Sequence, residues 1–309
     1  MREWLVVYLK GFAMGAADSV PGVSGGTIAL ITGIYERLVD ALAAVDADLL
    51  VDLARSPVDG DARSMARAGL LAMDLPFLVV LGLGIVSALL TLANVVQYAL
   101  AAYTALTFAF FFGLILASPV VLADEVSIDT PRGIAALVVG AALAFVVSGL
   151  PTTQASHALA LMFFVGALAI CAMVLPGISG SLILLVIGQY EFLLGEVHAL
   201  TAALSGLAGG GSLAAVLAPL TTLVVFALGA LVGILTFARV VSWALDSYRT
   251  LTVTFLVGLM LGALRTPAVK ILDSTPTWNA ITVIVLVAVA VVGAGAVLTL
   301  DYVTGDIVY

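Results

Sequence analysis

Residues 21–38 read PGVSGGTIALITGIYERL, and residues 176–193 read PGISGSLILLVIGQYEFL. Pro, Gly, Ser and Gly, then Ile, Leu, Gly, Tyr, Glu and Leu, return at a constant offset of 155. The likeness extends outward. TLANVVQYAL from Thr91 resembles TFARVVSWAL from Thr236, and FGLILAS around Gly113 echoes VGLMLGA around Gly258, both at an offset of 145. The shorter offset fits an extra polar stretch at 46–74 in the first half. Apolar runs resemble one another by chance, but matched polar residues at one offset do not. The pattern is that of a duplication, with a first repeat at 1–155 and a second at 156–309.

The surrounding composition says where such a chain lives. It has 309 residues, 63% of them hydrophobic and 10% charged, with a mean hydropathy of +1.26. Soluble domains run at about 45–50% apolar and about 25% charged. The excess apolar surface must face lipid, so an all-α, polytopic membrane protein is expected. About ten apolar runs can be counted, five in each half. Five is odd, so two copies would insert with opposite orientation, the plan of many secondary transporters. If the segments around Pro21 and Pro176 are re-entrant or broken-helix hairpins, about three full spans remain per half. Arg2, Lys10 and the loop bearing Arg55, Arg63 and Arg67 then share the cytoplasmic side, and the uncharged stretch 201–212 lies outside. Arg265 and Lys270 fall outside too, against the positive-inside rule.

Nineteen acidic against eleven basic residues give a net charge of −8, which argues against a nucleic-acid partner. Most acids lie in the polar stretches, chiefly 46–74, read as an acidic extramembrane loop. Asp in place of Glu and Arg in place of Lys look like the proteome of a salt-loving microbe. The single Cys171 gives no disulfide framework and no cysteine metal site, and neither metal nor cofactor is expected. The first apolar stretch lacks a cleavage-type end, so no cleavable signal is expected.

The repeated motif carries the chemistry. Pro21 and Pro176 lack an N–H and end a helix, while Gly22 and Gly177 permit positive φ. The chain is expected to restart as a helix at about Gly25 and Gly180, where the first N–H groups have no carbonyl partner. At membrane depth such backbone is tolerated where it lines a cavity. Free N–H groups, the Ser24 and Thr27 hydroxyls and the positive helix end together suit an anion. Ser179, Gly180 and Ser181 supply the second copy, and Gly25 and Gly26 complete the first. The bland reading, small residues for close helix packing, suits one copy better than two matched ones.

Charged residues inside apolar runs are further candidates. Asp18 lies just before the first motif. Glu36 and Glu191 follow the two motifs at the same offset and read either as proton or cation carriers or as interfacial acids. An acid beside an anion site repels the anion unless neutralised, which points to coupling. Arg265 is a candidate counter-charge for a phosphate, whereas Arg239 reads as a snorkelling side chain.

The run GFAMGAADSVPGVSGGTIALITGIYERL from Gly11, the second PGISGS with GQYE, and FFGLILAS between them resemble the prokaryotic polyprenyl-phosphate transporter family (PopT), formerly a domain of unknown function. The resemblance spans nearly the whole chain. It implies a multi-pass protein of the cytoplasmic membrane, not an enzyme, that returns a lipid-linked phosphate carrier across the bilayer. That carrier is undecaprenyl phosphate in bacteria, or a dolichyl-type phosphate if the halophile reading holds. The implied phosphate contacts are Ser24, Gly25, Gly26 and Thr27 with Ser179, Gly180 and Ser181. The second motif has Ser181 where the first has Gly26, and Met173 where the first has Asp18. Two other classes remain open on the residues alone. A small-anion channel or exchanger would use the same helix ends. An intramembrane serine hydrolase would use one G-x-S-G serine with a histidine base, and both histidines, His157 and His198, lie at segment edges.

Overall fold

A computed structural model describes residues 2–20, 23–45, 47–57, 59–151, 156–207 and 212–305. Pro21 and Gly22, the first pair of expected helix breakers, lie outside the described residues. Those described form helices joined by short breaks: α1 (Arg2–Asp18), α2 (Gly25–Ile31), α3 (Tyr35–Ala43), α4 (Ala47–Arg55), α5 (Gly60–Ala72), α6 (Leu75–Ala102), α7 (Thr104–Val121) and α8 (Pro131–Val147). There follow α9 (Leu159–Val174), α10 (Gly180–Ile187), α11 (Tyr190–Leu207), α12 (Leu213–Ala263), α13 (Arg265–Ser274) and α14 (Ala280–Gly305). No strand occurs among the described residues.

Residues 46–74 depart from the expectation of an acidic loop: they carry α4 and α5. Their charges alternate with apolar residues at helical spacing, so Leu49, Ala62 and Ala66 are buried while the acids face outward. The Asp59 carboxylate caps α5 by accepting from Asp61 N–H at 2.9 Å. The stretch 201–212 is likewise not all loop, because α11 runs on to Leu207.

Among the described residues four helices are long and apolar enough to cross a membrane, or five if α10 and α11, bent by 102°, count as one broken span. Leu213–Ala263 holds 51 residues. At 1.5 Å per residue that is about 76 Å, more than twice a hydrocarbon core of about 30 Å. It cannot be one straight crossing, and it breaks at Tyr248 (φ −142°, ψ 42°). The break between α6 and α7 falls on Tyr103 (φ −137°, ψ 45°), 145 positions earlier.

Glycines set the helix spacing in matching places. A Cβ at Gly11 would collide with the Leu81 carbonyl, and one at Gly166 with the Phe226 carbonyl, so α1 lies on α6 as α9 lies on α12. Gly113 meets the Ala290 carbonyl and Gly258 the Leu137 carbonyl in the same way. Helix α7 is therefore pressed against α14, and the part of α12 beyond Tyr248 against α8. Only backbone-to-backbone approach allows this, which is why small residues line these helix faces.

The chain turns back after each motif. Arg37, just past α2, bonds Asp74 at 2.7 Å and reaches Glu3 at 3.8 Å, at the very start of α1. His157, just before α9, pairs through Nδ1 with Gln189 Oε1 at 2.9 Å, just past α10, and stacks on Phe192. Each motif thus sits at the tip of a hairpin whose base is tied.

Candidate functional site

The two hairpin tips touch. Thr27 Oγ1 accepts a hydrogen bond from the Gly177 N–H at 2.9 Å, and the Ser24 hydroxyl donates to the Leu175 carbonyl at 3.3 Å. Gly26 packs so closely that an added Cβ would stand 3.0 Å from the Val174 carbonyl oxygen. Residues some 150 positions apart in the chain thus form one junction, and Ser24, Thr27 and Ser179 are all buried in it.

At the first tip the helix end is already satisfied. Ser24 is extended (φ −116°, ψ 129°) and caps α2, its Oγ accepting from Gly26 N–H at 3.2 Å. Thr27 N–H donates to the Ser24 carbonyl at 3.1 Å. Asp18 reaches across the break and accepts from Gly25 N–H at 2.6 Å. The expectation of free N–H groups therefore fails here: a carboxylate of the chain itself occupies the place an anion would take. Gly25 is needed for this, since a Cβ would lie 2.5 Å from Asp18 Oδ2.

At the second tip nothing equivalent is present. Met173 stands where Asp18 would, and an apolar side chain accepts nothing. Ser179 is extended (φ −94°, ψ 134°) but caps no N–H; its Oγ lies 2.7 Å from Ser181 Oγ instead. Among the described residues the Gly180 and Ser181 N–H groups have no acceptor. Gly177 takes φ +83° against the Leu259 carbonyl, a conformation and a space that suit glycine alone. The backbone thereby leads out of α9, past the buried Pro176, and into the start of α10.

The remaining candidates lie elsewhere. Glu36 pairs with Arg249 at 2.5 Å, and Arg249 also holds Glu125 at 2.8 Å, a partly exposed cluster at the hairpin base. Glu191 is exposed, so the two matched glutamates do not share an environment. Arg265 donates to the Phe145 carbonyl at 2.7 Å and stacks on the Phe145 ring, so its partners belong to α8 and to neither motif. Arg239 bonds the Ala43 and Val45 carbonyls. Neither motif serine is bonded to a histidine among the described residues.

Lys10 is the residue that sequence reasoning missed. It is only 2% exposed, and its Nζ donates to the Thr32 carbonyl at 2.6 Å. A cation there meets the negative end of α2. The signal was a lysine within an apolar run; its partner, a backbone oxygen 22 residues away, leaves no mark in the sequence.

An apolar groove of about 400 Å³ adjoins the junction, lined by Leu175, Phe237, Val241, Tyr248 and Phe255 among others. It reaches the residue whose carbonyl receives the Ser24 hydroxyl.

A family described as VCA0040-like, undecaprenyl phosphate translocase-like, matches residues 14–283, most of the chain and both motifs. The chain belongs to this family. The chain is similar to a polyprenyl-phosphate transporter of Vibrio cholerae, 38% identical over 90% of this chain and 81% of the relative. A polyprenyl-phosphate transporter of Staphylococcus aureus is 27% identical over 98% of each. No solved structure matches the chain.

Proposed function

We propose that this chain is a flippase for a polyprenyl phosphate in the cytoplasmic membrane, its head group held at the junction of the two motifs. The carrying observation is the contact itself: Thr27 to Gly177 and Ser24 to Leu175 bring both helix ends to one point. Ser24, Gly25, Gly26 and Thr27 form one wall, and Ser179, Gly180 and Ser181 the other. The open N–H groups of α10 receive the phosphate first, because α2 is capped by Asp18. An anion beside a carboxylate is favoured only when that carboxylate is neutralised, so a proton or a cation at Asp18 is linked to loading. The groove at Leu175 leads the isoprenoid tail sideways into lipid.

The matching Tyr103 and Tyr248 breaks and the paired glycine contacts support two repeats, 1–155 and 156–309, inserted with opposite orientation. The hairpins are then re-entrant, α12 supplies two crossings, and the Arg37 and Arg249 clusters mark the cytoplasmic face.

Reconstitution in liposomes tests this. The wild-type protein is expected to move polyprenyl phosphate between leaflets, and Ser24→Phe and Ser179→Phe to stop it. Unchanged lipid transport in both variants overturns the site. Flux of a soluble anion with no lipid movement would replace the flippase by an anion channel.

A further inference from the structure

A second cavity, also about 400 Å³, opens between the end of α8, the flank of α10 and α13. α8 begins near the Glu125–Arg249 cluster and, over 17 residues, ends about 25 Å further along its axis. The cavity therefore lies toward the face assigned above to the outside. Its walls include Leu150, Leu182, Val186 and Val269, and it holds two cations, Arg265 and Lys270.

Arg265 is built into this place. Its guanidinium bonds the Phe145 carbonyl, stacks 4.6 Å from the Phe145 ring centre, and lies over Gly149, where any Cβ would collide with it. No carboxylate among the described residues pairs with Arg265 or Lys270. Asp273 follows on α13 and forms no ion pair there. Arg37 and Arg249, on the opposite face, are each matched by two acids. In a chain of net charge −8, two uncompensated cations on the outer side run against the usual distribution. They face an apolar wall formed by α10, the helix whose first residues are Gly180 and Ser181.

We infer that this cavity captures the phosphate head of a lipid monophosphate from the outer leaflet, Arg265 and Lys270 holding it before it passes along α10 to Ser181, Gly180 and Ser179. The inference rests on the flippase reading and adds an entry point to it. Arg265 offers a planar fork for two phosphate oxygens, and Lys270 a mobile point charge at the rim. The leucine and valine wall receives the first carbons of the tail.

The full chain in phosphatidylcholine liposomes, probed with a prenyl monophosphate carrying a photoreactive group on its first isoprene, provides the test. Labelling is expected at 148–150, 182–186 and 265–270. It is expected to fall by about tenfold in the Arg265→Gln/Lys270→Gln double variant, a change typical of losing a charged contact to phosphate. Lys270→Gln alone, at an exposed position, and Gly149→Ala, which displaces the guanidinium without removing charge, lower it less. Unlabelled polyprenyl phosphate competes, whereas polyprenol, phosphatidylglycerol and inorganic phosphate do not. Labelling unchanged in all three variants overturns the inference, as does equal competition by phosphatidylglycerol or by inorganic phosphate. Transport measured alongside separates the two readings. If Ser179→Phe stops transport while cavity labelling is unaffected by the cation variants, only the entry site falls. If the wild-type protein moves no lipid, the flippase reading falls and takes the entry role with it.

Discussion

In the first hairpin every residue of α2 is buried, Asp18 caps Gly25, and Lys10 holds the far end at Thr32. In the second, no residue of α10 is fully buried, and the helix start carries no side-chain cap. The positions matching Lys10, Asp18, Thr27 and Thr32 at an offset of 155 are Val165, Met173, Leu182 and Ile187. Four polar groups that tie down one copy are thus apolar in the other. The two matched segments differ in these groups, which leaves one helix end closed and the other open.

That contrast can be broken most severely by Met173→Asp. A carboxylate there would reach Gly180 N–H as Asp18 reaches Gly25, and lipid transport in liposomes is expected to fall to background. Wild-type transport in this variant would show that the open end of α10 is not the seat of the phosphate. Next in size are two changes at Asp18. Asp18→Ala leaves the Gly25 N–H without its acceptor, at a cost of about 1–3 kcal/mol, and abolishes transport as well. Asp18→Asn keeps an acceptor, so it should unfold near the wild-type temperature yet transport at least about tenfold more slowly, since the charge needed for coupling is gone. Equal transport by Asn and Asp would remove the coupling role.

Thr27→Val sharpens the contact between the tips. It strands the buried Gly177 N–H, and thermal unfolding in detergent should report a loss of about 1–3 kcal/mol, largely restored in Thr27→Ser. The smallest effect is expected at the hairpin base. Arg249→Ala removes two pairs on a half-exposed side chain, worth about 1 kcal/mol or less together, with transport close to wild type.

Much of this was readable from residue types. Proline, glycine and serine at fixed spacing placed the helix starts at Gly25 and Gly180, where they are observed. Apolar composition alone called for a helical protein that spans lipid. The misses have physical causes. The helices α4 and α5 do not show in the sequence because high charge hides an apolar face of only a few residues. The capped state of α2 is hidden because Asp18, at the end of α1, approaches Gly25 at the start of the next helix, and the angle between two helices is not written in spacing. What positions Arg265, a candidate counter-charge for a phosphate, is a carbonyl 120 residues distant. Backbone partners of this kind carry no sequence signal.

The central claim is that one of two duplicated helix ends is closed by the protein's own carboxylate and the other is open to a phosphate. An experimental structure with a short-chain polyprenyl phosphate bound tests it most directly. The account predicts phosphate density within hydrogen-bond reach of Ser179 Oγ and the Gly180 and Ser181 N–H groups, facing Ser24 across the junction. A head group seated away from both motifs, with the start of α10 still empty, would contradict it.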